Sequence, residues 1–342
     1  LILNNPLLIL TVPMSVIIKL KFYSDPTYHT LETIAIDTSE IPKPFIKWVG
    51  GKSQIIKEII KTFPSAPIKI NNYREIFLGG GSVLFAVLYL IKENKVIVEG
   101  KLYAYDFNPI LIQVYKDVQK NKEKLFACIQ EYINSYKDLP ILENSNRKPK
   151  TLDEAKTSKE SYYYWLRTQF NQMQNNPIKK SALFIFLNKT CFRGVYREGP
   201  HGFNVPYGHY KKTPTIITKE TLDNISNLIK DVEFTCCDFR DSINNAQPGD
   251  FMYLDPPYAP INETSFVGYN KKGFGLQDHK DLFALVNNLT DKQVRVCISN
   301  AKVPLVMDSF DKKKYTIREL ECRRAIHSKN PGAKAVEVII TN

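Results

Sequence analysis

Apolar and polar positions settle into a regular pattern from about Ile41 onward. Ile55, Ile56, Ile59, Ile60 and Phe63 fall on one face at helical spacing, with Ser53 placed to cap that helix. A strand-like run at 73–77 then meets Gly79-Gly80-Gly81-Ser82, and the apolar stretch 83–91 reads as a buried helix. Next come a strand at 102–105, the acid Asp106 and a helix through Leu111, Val114, Tyr115 and Val118. Strand, glycine loop, helix, strand and acid form the opening of a doubly wound α/β domain. The stretch 144–215 breaks the rhythm: it is polar, basic and aromatic, with "SYYYW" at 161–165. The alternation returns with strands at 232–235, 251–254 and 294–298 and a helix at 278–289. Two last runs, 315–320 and 335–341, are spaced to pair as an antiparallel hairpin at the sheet's end. The first 18 residues carry no charge, but Pro6, Pro13 and Asn4-Asn5 interrupt them and no basic residues precede them. Neither a membrane span nor a signal peptide is expected there.

Composition narrows the class of partner. The chain has 342 residues, is 43% hydrophobic and carries a formal charge of +12 with a pI near 9.2. That is enough apolar material for an ordinary core and a balance that favours a polyanion. Between Arg147 and Glu220 there are 14 Lys and Arg against 5 Asp and Glu, so +9 of the +12 sits in about a fifth of the chain. The competing reading of that segment is a solvated basic face. The six cysteines form no C-x-x-C pair and have no histidine at zinc spacing, which fits reduced thiols in a cytoplasmic, unsecreted protein.

Three motifs carry chemistry. "WVGGKS" at 48–53 has the tail of a phosphate-binding loop, but Ile46 stands where the first glycine should be. Its glycines still allow close backbone approach before a helix. "FLGGGS" at 77–82 sits where a dinucleotide fingerprint would, and Asp106 follows Gly81 by 25 residues. Leu84 replaces the third glycine, so an adenosine-bearing ligand is indicated without a pyrophosphate. "LDPPY" at 254–258 ends a strand on a carboxylate, Asp255, followed by two prolines that stiffen the turn and a tyrosine ring, Tyr258.

The stretches "PFIKWVGGKSQII", "EIFLGGGSVLF", "AYDFNP", "GFNVPYGHYKK", "LDPPYAP", "SFVGYNKKGF" and "ISN", in this order, resemble the Dam family, the D12 class of DNA adenine-N6 methyltransferases, including members of restriction-modification systems that modify GATC. The resemblance covers about nine-tenths of the chain. It implies a Rossmann-like methyltransferase fold with a mixed seven-stranded sheet, S-adenosylmethionine as cofactor, double-stranded DNA as partner and no metal. It also implies transfer of methyl to N6 of an adenine flipped out of the duplex. Asp255, Pro256, Pro257 and Tyr258 would be catalytic. Trp48, Lys52, Gly79, Gly80, Gly81, Asp106, Asp238 and Phe239, with Asp255, would hold the cofactor. Phe192, Arg193, Arg197, Asn204, Tyr207, His209, Lys211 and Lys212 would contact DNA, with Arg197 reading a base and Phe192 wedging into the stack. The family usually has Asn at the position of Arg193 and Arg at that of His209, departures that bear on the recognised sequence and not on methyl transfer.

The expected organisation is an N-terminal extension, 1–40, outside the fold; a catalytic domain, 41–145 and 215–342; and an inserted target-recognition domain, 146–214. A monomer is expected, without membrane association, and a cognate restriction endonuclease is a further partner that the resemblance allows. Two other readings compete: a DNA-binding module without activity, and a methyltransferase acting on amino groups of another nucleic acid. A nicotinamide-dependent oxidoreductase is disfavoured by the missing third glycine and the basic insertion.

Overall fold

The structure, a computed structural model, describes residues 37–260, 273–323 and 334–342. Most of the expected extension, and most of "SFVGYNKKGF", lie outside the described residues. The described residues belong to one compact unit.

Seven strands build the central sheet: β1 Tyr73–Glu75, β2 Leu102–Asp106, β3 Val232–Cys236, β4 Phe251–Leu254, β5 Arg295–Ala301, β6 Thr316–Arg323 and β7 Lys334–Thr341. Their spatial order is β6-β7-β5-β4-β1-β2-β3. Neighbours are parallel except β7, which runs antiparallel to both β6 and β5. The expected terminal hairpin is therefore present. All four residues of β4 are buried, as an unbroken apolar run requires when both faces of a parallel strand are covered. β3 lies at the edge and alternates, with Val232 and Phe234 inward.

Register places the chemistry. Tyr73 of β1 sits opposite Leu102 of β2 and Phe251 of β4, so the chain leaves all three strands at the same edge. β2 and β3 extend the sheet to one side of β1, β4 and β5 to the other. The crevice between β1 and β4 is thus the topological switch point, where ligands of open α/β sheets bind. Burying Arg74 in a central strand is offset by Asp250 at 2.8 Å and the Asn245 carbonyl at 2.9 Å.

Local signals place the principal helices. α1 (Ser82–Lys92) starts at Gly81, whose φ of 72° is left-handed. α2 (Pro109–Lys120) opens with proline in its first turn behind Asn108, whose side chain accepts from the Leu111 N–H. α3 (Lys122–Lys137) follows directly. α4 (Lys159–Gln172) and α5 (Pro177–Thr190) are capped by Ser158 and Asn176; α6 is Lys219–Leu228 and α7 is Leu276–Asp291. Ser53 does not cap the first helix. A 3-10 turn at Lys52–Gln54 intervenes and Ile55 takes the cap position of Ile56–Ile60, so the chain turns once more before becoming helical.

α4 and α5 carry the basic, aromatic segment, and they share the core of the sheet domain. Tyr162, Tyr163 and Tyr164 of "SYYYW" are buried. Phe186 of α5 meets the rings of Tyr132 and Tyr136 on α3 edge-on. Ser181 donates to Asp117 of α2 at 2.6 Å in a fully buried contact.

Candidate active site

The turn after β4 is held from several sides. Lys52 is buried and its Nζ lies 2.7 Å from Asp255 Oδ2, donates to the Gly50 carbonyl at 2.6 Å and sits 4.8 Å from the centre of the Tyr258 ring. The Lys52 N–H donates to Ser82 Oγ at 3.1 Å, which joins the Gly-Gly-Lys turn to the start of α1. The other carboxylate oxygen, Asp255 Oδ1, is buried with no hydrogen-bond partner among the described residues. Burial pushes the Asp255 carboxyl up to about 6 against the pull of the Lys52 ammonium.

A cavity of about 920 Å³ opens over this turn. It is lined by Trp48 and Lys52, by Gly79 and Gly80, by Asp106 and by Asp255 through Tyr258. Asp106, at the C-terminal end of β2, accepts from the N–H groups of Gly79 at 3.0 Å and Asn108 at 2.9 Å. Burial raises its carboxyl above the usual range, with those N–H groups opposing. Gly79 has φ 50°, and a Cβ there would stand 2.8 Å from Trp48 Cδ1, so the backbone lies against the indole where only glycine fits.

Three expected cofactor contacts are not brought to the cavity. Gly81 lies beneath the loop, where an added Cβ would meet Tyr115 Oη at 2.6 Å; it is needed for the left-handed start of α1 and does not line the space above. Asp238 caps the short helix Phe239–Ile243 and pairs with Arg240, whose guanidinium also takes Asp278 at 2.7 Å and Asp281 at 2.6 Å. Phe239 is buried behind Phe77 and Phe274, and it is those two rings that reach the cavity.

Among the lining residues that sequence reasoning passed over are Glu75, Phe107, Tyr196 and Glu337. Glu75, 1% exposed, closes β1, and its Oε2 accepts from the Tyr73 hydroxyl at 2.7 Å. Burial raises its carboxyl to about 8, with the nearby Asp255 charge adding to the effect. Phe107, 48% exposed and directly after Asp106, presents an unpacked ring to the cavity. Tyr196 stacks on Trp48 at 5.7 Å. Glu337 arrives from β7 and accepts from the Tyr258 hydroxyl at 2.7 Å. Glu75 and Phe107 stood in motifs already quoted; Tyr196 and Glu337 become legible only once distant segments are side by side.

The basic segment presents most of its expected contacts outward. Phe192 and Arg193 are exposed, Arg193 in a left-handed conformation with its guanidinium over the Phe192 ring. Arg197 and Asn204 are exposed and bonded to each other at 2.8 Å across the hairpin Glu198–Gly199 and Gly202–Phe203. His209, Lys211 and Lys212 are exposed. Tyr207 is a correction: it is buried, and its hydroxyl pairs with that of Tyr136 at 2.7 Å, so it ties this segment to α3 and is not presented outward.

Residues 48–326 match the profile of D12 class N6 adenine-specific DNA methyltransferases. The chain belongs to this family. A type II methyltransferase, M.MjaIII of Methanocaldococcus jannaschii, is 35% identical over 310 residues, 88% of this chain and 99% of the relative. Another, M1.LlaDCHI of Lactococcus lactis subsp. cremoris, is 30% identical over 305 residues, 88% and 95% of the two chains. A DNA adenine methylase of Haemophilus influenzae is 31% identical over 292 residues, 84% and 89%. This D12 methyltransferase is an adenine-specific DNA methylating enzyme whose methyl donor is S-adenosylmethionine. Its cavity fits that donor: a glycine floor that a Cβ would fill, a carboxylate at the end of β2 able to accept from ribose hydroxyls, and apolar walls at Phe77, Phe107 and Ile110. Among the described residues no helix is long and apolar enough to cross a membrane.

Proposed function

We propose that the enzyme flips an adenine from a short duplex site, GATC, into the cavity over the Asp255 turn and methylates it there. The observation that carries this reading is the buried Asp255 Oδ1, which has no hydrogen-bond partner among the described residues. A buried acceptor without a donor is costly, and a substrate amino group relieves that cost on binding. Oδ2 is already taken by Lys52, so Asp255 offers one oxygen in a fixed direction. Asp255 Oδ1 and the Pro256 carbonyl accept from the two N6 hydrogens, turning the nitrogen lone pair toward the methyl group. The Tyr258 ring lies against the base.

S-adenosylmethionine supplies an electrophilic methyl on a sulfonium sulfur. Trp48, Gly79 and Gly80 hold its methionine end, Asp106 its ribose hydroxyls, and Phe107 with Ile110 its adenine, in place of the Asp238 and Phe239 expected from sequence. Proline at 256 and 257 makes the turn stiff, and orientation of this kind is worth effective molarities on the order of 10⁵ M.

Residues 146–214 serve as the target-recognition region. Lys211 and Lys212 hold phosphates, Arg197 reads a guanine edge, with Asn204 steering its guanidinium, and Phe192 enters the stack vacated by the flipped base. Arg193 and His209 contact the flanking backbone. Labelled methyl transfer to a GATC duplex, compared with one in which the site is rearranged to GTAC, tests the proposal. Strong preference for GATC is expected; equal labelling of the two overturns the assigned site.

A further inference from the structure

The two residues after the prolines are fixed at three points, and two of these come from adjacent registers on neighbouring strands. The Ala259 N–H, next to Tyr258, donates to Oδ1 of the fully buried Asn300 at 3.0 Å. The Tyr258 hydroxyl donates to Glu337 Oε2 at 2.7 Å. Asn300 lies on β5 and Glu337 on β7, where Glu337 is opposite Ala301 and Val338 opposite Asn300. The third point is the Lys52 ammonium on the ring face.

Glu337 is a costly choice of residue for this place. It lines the cavity that already contains Asp255 and Glu75, and its charge helps keep the Asp255 carboxyl high. An uncharged side chain would fill the space without that repulsion. What a carboxylate adds is a stronger, more directional bond to the phenol. Burial, with the Glu337 charge beside it, pushes the Cys322 thiol of the neighbouring β6 up to about 11.

We propose that Glu337 is a positioning residue for methyl transfer: it accepts the Tyr258 hydroxyl and so sets the plane of the ring against which the target adenine lies. The inference rests on the reading of Tyr258 as the ring that stacks on that base. Through it the C-terminal hairpin, far in sequence from the Asp255 turn, takes part in the reaction without touching the reacting atoms.

A double-mutant cycle tests it, using single-turnover methylation of a duplex with the full chain. Glu337→Ala should slow methyl transfer by about 10- to 100-fold, the loss of a hydrogen bond to a charged group, with cofactor affinity unchanged. Tyr258→Phe removes the same bond from the other side. The two together should be no slower than the slower single variant. Glu337→Gln keeps an acceptor and should recover most of the rate; if Glu337→Ala does not fold, Glu337→Leu, which fills the space without an acceptor, replaces it in the cycle. With 2-aminopurine at the target position, Glu337→Ala should still flip the base but leave it less stacked, seen as brighter emission. Multiplicative losses in the cycle, or a fall in cofactor affinity alone, would overturn the role. Full activity of Tyr258→Ala would refute the stacking reading itself, a result distinct from a failed cycle.

Discussion

The two oxygens of Asp255 have different fates: Oδ2 is neutralised by Lys52 at 2.7 Å, and Oδ1 is buried and unpaired among the described residues. Because burial lifts this carboxyl to about 6, it accepts hydrogen bonds above that pH and carries a proton below it. A pH profile of kcat/KM should therefore fall on the acid side with a midpoint near 6; a flat profile down to pH 5 would contradict the assignment. Glu75 gives a second pH signature, in stability. Its carboxyl rises from an ordinary 4.5 to about 8, so the folded state holds its proton more tightly than the unfolded chain. That contribution is complete below about pH 4.5 and lost as pH rises through about 8. Relative to Glu75→Gln, the wild type should lose on the order of a few kcal/mol between pH 5 and 9, measured by urea denaturation.

At the scale of elements, the site depends on three strand ends and the loop after β1. Gly79→Ala should raise the KM for S-adenosylmethionine, since its Cβ would press on Trp48 at 2.8 Å. Gly81→Ala should act on stability instead, by roughly 1–3 kcal/mol from its left-handed φ with a further penalty against Tyr115; thermal melts and cofactor titrations separate the two. Much of this was legible in sequence, because the signals are local. A four-residue apolar run stopped by two prolines marks β4 and the turn after it. Glycines between a strand and a helix mark the loop, and an acid at a strand end marks Asp106. Sequence is least informative where the folded surroundings decide what a side chain touches. Asp238, expected at the cofactor, pairs with Arg240, which also takes Asp278 and Asp281; Tyr207, expected at DNA, is buried with its hydroxyl on that of Tyr136, 71 residues away. Glu75 and Glu337 owe their positions to strand order, which no local spacing encodes.

Over the whole molecule, charge and core are arranged to different ends. The basic excess collects in one segment, yet that segment is packed into the core of the catalytic sheet. Losing the Ser181 to Asp117 bond by Ser181→Ala leaves a buried carboxylate oxygen short of a donor and should cost about 1–3 kcal/mol in denaturation. In DNA binding, Lys211→Ala and Lys212→Ala should each reduce the slope of log affinity against log salt by about 1, with little change in sequence preference. Arg197→Ala should keep the slope nearer wild type and relax discrimination at one base pair. The central claim is that this chain methylates adenine N6 through the Asp255 carboxylate. The most direct test is mass spectrometry of nucleosides from DNA incubated with the purified protein and deuterated S-adenosylmethionine. Wild-type protein should yield labelled N6-methyldeoxyadenosine, and Asp255→Ala, folded to the same degree, should yield none. Label on cytosine, or undiminished N6 label with Asp255→Ala, would contradict it.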